Sequence, residues 1–206
     1  MHVSRLIALF VVLAGAVAIV VTSVTGDDEP AGLAGGDGAD DSAPGAEPEP
    51  IPVLGTADTL TGLDGWLNTD ATSFEEIRER NELVIVQFWT FACFNCKNTL
   101  GALGEIYDEY KDRGVEIVGV HAPEFDFEAE VDNIIEAAAD LDVTWPIALD
   151  TEKRNFHRWQ EGPTGYWPRV YLIDGDGQIR LDRRGDGIDN YRRLENYIER
   201  LLAGEA

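Results

Sequence analysis

From Val53 onward, short apolar runs alternate with stretches in which apolar residues recur at helical spacing, the pattern of strands and helices in turn. Leu83 to Trp89 (LVIVQFW) is interrupted only by Gln87 and reads as a buried strand. Leu100, Leu103, Ile106, Tyr107 and Tyr110 then fall on one side of a helix predicted from about Phe94 to Lys111, and Gly114 stands near its C-cap position. Val115 to Val120 (VEIVGV) is the next buried strand. It is followed by a helix over about residues 127–140, a short apolar segment from Trp145 to Leu149, and a helical stretch around residues 152–160. Arg169 to Ile173 and Gln178 to Arg183 form a hairpin, with turn residues supplied by Asp174-Gly175-Asp176-Gly177. Ile188 to Leu202 is a closing amphipathic helix, and Ser73 with Glu76 three residues later marks the start of a short helix before the first core strand.

The N-terminal pattern is of another kind. Leu6 to Val21 holds only apolar residues and Gly, and the run continues to Val24, about nineteen positions or roughly 28 Å of helix, enough to cross a bilayer. Arg5 precedes it while Asp27, Asp28 and Glu29 follow. The positive-inside tendency therefore predicts a single-pass protein of the cell membrane, with residues 6–24 in the lipid bilayer and the C-terminal domain outside the cytoplasm. Signal cleavage near Val24-Thr25-Gly26 is the other reading and leaves a secreted domain in the same compartment. Residues 26–52 are Gly, Ala, Pro, Asp and Glu with hardly a large apolar side chain, so a disordered, extended acidic linker is expected there. The expected organisation is a membrane anchor or signal segment over 1–25, a linker over 26–52 and one folded domain over 53–206.

Charge narrows the partners. With 39 acidic against 16 basic residues the formal net charge is -23, which excludes a nucleic-acid partner, because phosphate binding needs clustered Lys and Arg.

The chain's two cysteines lie in Cys93-Phe94-Asn95-Cys96, directly between a buried strand and a helix. Unpaired backbone N–H groups and the macrodipole at a helix start favour an anion, so Cys93 is expected to ionise more readily than a free cysteine. Its thiolate attacks a disulfide, and Cys96, one turn deeper, resolves the mixed disulfide. A purely structural bridge is the bland reading, but closing so short a loop constrains the unfolded chain little. A metal site would have to draw on two cysteines with His121 and His157, and covalent haem would need a histidine where Lys97 stands. No cofactor is expected beyond the redox-active pair itself.

The segment Phe88-Trp89-Thr90-Phe91-Ala92-Cys93-Phe94-Asn95-Cys96 resembles the active-site segment of the TlpA/ResA-like thioredoxin group, most of all its DipZ-like branch. Gly119-Val120-His121-Ala122-Pro123-Glu124-Phe125 and Tyr166-Trp167-Pro168 extend the likeness, which covers roughly Trp66 to Leu202. The resemblance implies an α/β thioredoxin fold, a central mixed sheet flanked by helices, with a TlpA-type insertion between Cys96 and Pro168. It also implies a cis peptide before Pro168, thiol–disulfide clients outside the cytoplasm, and a membrane-embedded electron donor.

Departures from the pattern matter as well. Many thioredoxins place a buried Asp six positions before the first cysteine, where this chain has Gln87, which cannot titrate. Glu124, on the same edge of the sheet, is the candidate replacement as proton acceptor. Trp89, Phe94, Asn95, Trp167 and Pro168 are the expected supporting or substrate-facing residues, with Trp89 and Phe91 presenting an apolar surface beside the cysteines. Two other functions remain open. A peroxiredoxin-like thiol peroxidase is suggested by Thr90-x-x-Cys93, although Val86 stands where its Pro is expected, and a copper-binding assembly factor would use the thiols with a histidine.

Overall fold

The computed structural model describes residues 49–161 and 164–205, where the alternating pattern becomes one mixed sheet covered on both faces. In chain order the elements are β1 (Gly55–Thr56), β2 (Gly65–Leu67), α1 (Phe74–Arg80), β3 (Leu83–Trp89), α2 (Phe94–Tyr110), β4 (Val115–His121), α3 (Val131–Asp140), β5 (Ile147–Leu149), α4 (Arg154–Trp159), β6 (Arg169–Asp174), β7 (Gln178–Arg184) and α5 (Ile188–Leu202). The sheet order is β1-β7-β6-β3-β4-β5-β2. Strands β3, β4 and β5 run parallel, β6 lies antiparallel to β3, and β7, β1 and β2 each pair antiparallel with their neighbours.

The central strand is buried on both faces. All seven residues of β3 are buried. Leu83, Ile85 and Trp89 pack against Leu103 and Ile106 of α2, Ile134 of α3 and Leu194 of α5, whereas Val84, Val86 and Phe88 join Phe74 and Ile77 of α1 and Phe156 of α4 in a second core. The helix α3 and strand β5 lie between Cys96 and Pro168 in the chain and add a parallel strand beside β4. The chain enters the core slightly before residue 53: Ile51 is buried, and its carbonyl accepts from Arg180 Nη2 at 2.9 Å.

Local signals locate several boundaries. Ser73 caps α1, its Oγ accepting from the Glu76 N–H at 3.1 Å, while the Glu76 carboxylate accepts from the Thr72 N–H instead of completing the box at Ser73. Gly114, at φ 86°, ends the 3-10 turn Lys111–Arg113 that follows α2. Gly119 sits where a Cβ would lie 2.8 Å from Trp89 Nε1 and 3.1 Å from Trp145 Nε1, so two indoles close over a bare backbone.

Elsewhere the structure departs from the pattern. The helix expected over 127–140 is two pieces, a 3-10 turn Asp126–Ala129 and α3, separated by Glu130 in an extended conformation. Strands β1 and β2, of two and three residues, are too short to leave a period in the sequence.

One set of expectations is corrected. No helix among the described residues is long and apolar enough to cross a membrane. A span needs about 20 consecutive apolar residues; the longest described helix, α2, has 17 and carries Lys97, Glu105, Asp108 and Glu109. The expected transmembrane helix is thus overturned, and with it the single-pass placement, the bilayer contact of residues 6–24 and the membrane-embedded donor. The segments for which they were expected, residues 1–25 and most of the linker over 26–52, lie outside the described residues.

Candidate active site

Strand β3 ends at Trp89, and the turn Thr90-Phe91-Ala92 hands the chain to α2 with Cys93 at the N-cap, in an extended conformation. The Cys93 sulfur accepts from the Cys96 N–H at 3.2 Å, the position a Ser or Asp oxygen takes in an ordinary cap. Both cysteines are free thiols, Cys93 half-buried and Cys96 fully buried. A hydrogen bond from the Cys96 thiol lowers the Cys93 pKa from 9.0 to about 7; backbone N–H groups of Cys96 and Asn95 add to it, against partial burial and the charge of Glu124. The same sulfur–sulfur hydrogen bond, followed by burial, pushes the Cys96 thiol up. One sulfur is thus poised as an anion while its neighbour keeps its proton.

Beneath the pair, Gln87 is completely buried. Its Nε2 donates to Thr99 Oγ1 at 3.0 Å, and that hydroxyl donates to the Cys96 carbonyl at 2.6 Å. The amide thus braces the first turn of α2 without titrating.

The carboxylate that organises the site is Glu128, which sequence reasoning missed. It is fully buried. One oxygen accepts from the Thr90 hydroxyl and from the Ala92 N–H at 2.9 Å; the other accepts from the N–H groups of Glu124 and Phe125, each at 2.8 Å. Burial opposes the charge, but these donors outweigh it and hold the carboxyl below its ordinary range. Glu128 therefore ties the turn before Cys93 to the loop after β4. Its signal was present as half of a capping box, because it stands three residues after Phe125; the N-cap is not Ser or Thr, so the motif does not stand out.

His121 completes this buried network. Its Nε2 lies 3.3 Å from Thr90 Oγ1. Since the Thr90 proton is given to Glu128, Nε2 is the donor of that contact, and Nδ1 has no hydrogen-bond partner among the described residues. Burial lowers the His121 pKa from 6.5 to about 4, against the pull of Glu128, so the ring is neutral.

Above the network opens a groove of about 300 Å³ lined by Ala92, Cys93, Phe94, Asn95, Glu124 and Trp167. Phe94 is 72% exposed, and Glu124 is exposed as well. Trp167 is held rigidly: its Nε1 donates to the Ala122 carbonyl at 2.9 Å, and its ring stacks on Phe156 at 4.2 Å. The Trp167–Pro168 peptide is cis, and Pro168 is buried. The expected site residues Cys93, Phe94, Asn95, Glu124 and Trp167 are thus brought together. Trp89 is not among them. It is fully buried in the core with Cys96 and Leu103, on the face of β3 that α2 covers, and it offers no surface to a client. Among the described residues no three His, Cys, Asp or Glu side chains are grouped to hold a metal ion.

Residues 59–181 match the AhpC/TSA family. The protein DipZ of Mycobacterium tuberculosis is 37% identical over 149 residues, 72% of this chain and 21% of DipZ, so the chain spans about a fifth of that relative's length. Thiol-disulfide oxidoreductase YkuV of Bacillus subtilis is 31% identical over 144 residues, 70% of this chain and 92% of YkuV. Among solved structures, the solution structure of a thioredoxin-like protein in the oxidized form superposes with a TM-score of 0.55 at 28% identity, covering 76% of this chain and 97% of that one. The solution structure of a thiol:disulfide interchange protein from Bacteroides sp. is alike in fold, with a TM-score of 0.55 at 22% identity over 72% of this chain and 91% of that one.

Proposed function

Because the chain belongs to the AhpC/TSA family and is a thioredoxin-fold thiol-disulfide oxidoreductase related to DipZ and YkuV, we propose that it exchanges disulfides with protein clients, Cys93 attacking and Cys96 resolving. The observation that carries this reading is the asymmetry of the pair, a half-exposed sulfur with its pKa lowered to about 7 beside a buried one whose thiol is pushed up. The Cys93 thiolate attacks one sulfur of a client disulfide and expels the other as a thiolate, forming a mixed disulfide. Cys96 then loses its proton and attacks the Cys93 sulfur, which releases the client's second thiolate and leaves a Cys93–Cys96 disulfide. Two electrons pass from the dithiol to the client, and the reverse sequence oxidises a client dithiol.

Glu124, the exposed carboxylate of the groove beside Cys93, is the candidate acceptor for the proton that Cys96 gives up. Glu128 is unavailable for that task because its oxygens already accept from four donors. Phe94, Asn95 and Trp167 wall the groove in which the client lies, and the buried Pro168 follows Trp167 in the chain. A peroxidase reading would want the Thr90 hydroxyl beside the attacking sulfur, and here it is turned inward to Glu128.

The test is trapping. Reduced Cys96→Ser protein mixed with a disulfide-bearing client is expected to accumulate a mixed disulfide at Cys93, seen by mass spectrometry, and Cys93→Ser is expected to give none. Absence of the adduct in Cys96→Ser would end the exchange reading.

A further inference from the structure

Most of the large side chains in this domain are buried, yet Phe125 and Phe127 are 53% and 52% exposed on the loop that leaves the active-site edge of β4. They are not scattered. Phe125 and Phe127 stack at 5.9 Å with an interplanar angle of 8°, Phe127 meets Phe91 edge-on at 5.8 Å, and Phe91 stacks on the buried His121 at 5.5 Å. This forms a ladder of aromatic rings rising from the core to the surface, and contiguous exposed apolar surface of this kind marks an interaction site.

The ladder is continuous with the groove. Phe125 follows Glu124, which lines the groove with Cys93, and Phe91 precedes Ala92, which lines it too. Glu128 accepts from the N–H groups of Ala92, Glu124 and Phe125 together, so one buried carboxylate fixes the position of the shelf relative to the attacking sulfur. A surface ordered before binding loses less entropy when it is covered.

Charge specifies the occupant. No basic residue occurs between His121 and Lys153, and Asp126, Glu130, Asp132 and Glu136 are all exposed along the shelf and the start of α3. An acidic client would be repelled there, and an apolar segment with cationic flanks would meet complementary charge. We propose that Phe125 and Phe127 dock an extended client segment that carries an apolar side chain next to its reactive cysteine and basic residues beyond it. This deepens the oxidoreductase reading above and rests on it.

The test is single turnover with the reduced full chain, followed by acid quench and mass spectrometry. Two short peptides are used, each joined through its one cysteine to mercaptoethanol, one flanked by Leu and Arg and the other by Ser and Asp; hydroxyethyl disulfide is the third substrate. Every rate is divided by that of dithiothreitol with the same disulfide, which cancels intrinsic reactivity. The Leu/Arg peptide is expected to react about tenfold faster than the Ser/Asp peptide, a preference that shrinks as salt rises. Phe125→Ser combined with Phe127→Ser, both at exposed positions that leave the core intact, is expected to reduce that ratio to about twofold or less. Asp126→Lys with Glu130→Lys is expected independently to weaken its salt dependence.

Equal rates for the two peptides, or a preference that survives both variants, overturns the proposal. Equal rates together with a sedimentation coefficient that falls in the Phe variants assigns the shelf to a second copy of the chain and overturns it as well. If hydroxyethyl disulfide and both peptides fail to react, the oxidoreductase reading itself is lost, and the docking inference falls with it.

Discussion

At Cys93 a sulfur occupies the place of the oxygen that normally caps a helix, and the chemistry of the site follows from that substitution of one acceptor for another. The rate of Cys93 alkylation by iodoacetamide is expected to rise with pH through a midpoint near 7 and to level off about a unit above it, with Cys96 silent throughout, as read by peptide mass spectrometry. Cys96→Ala removes the donor that contributes most to the lowering, so the midpoint is expected to move up. Glu128 is a second residue-scale test. Glu128→Gln keeps the shape but turns an amide NH₂ toward groups that are themselves donors, leaving buried N–H groups unpaired at a cost of about 2 kcal/mol or more, measurable by urea denaturation. An unchanged midpoint would show that the loop is held by other contacts.

At the scale of elements, strands and helices with a strong period were legible and the short or broken ones were not. The strand β3 and the helices α2 and α5 announce themselves because seven or more residues repeat one burial pattern. The turn Asp126–Ala129 does not, since it is shaped by Glu128 reaching back to backbone N–H groups, an interaction invisible in periodicity. The packing of β3 on β4 has its own test. Gly119→Ala places a methyl 2.8 Å from Trp89 Nε1 and 3.1 Å from Trp145 Nε1, so two buried rings must shift, and a loss of about 1–3 kcal/mol is expected in urea titration. No loss would mean that the two rings move freely.

For the whole molecule, the buried His121–Thr90–Glu128 network couples stability to pH. In the unfolded chain His121 takes up a proton below its ordinary pKa of 6.5, but in the fold only below about 4, so between these values the unfolded state binds more protons. Stability is therefore lost as pH falls through that window, by about 2 kcal/mol from neutrality to about pH 5. Urea titrations of the parent protein and of His121→Asn at both pH values should differ by this amount, the general relief of acidic repulsion being common to both; parallel curves would show that the ring is not kept neutral. Sequence alone determined the α/β order, the burial of the central strand and the Cys-x-x-Cys at a strand–helix junction, because each is carried by neighbours along the chain. Only tertiary structure decided that Trp89 turns inward and that Glu128, 35 residues beyond Cys93, grips the turn before it. A buried charge is tolerated only where donors from separate segments converge on it, and that convergence exists once the chain has folded.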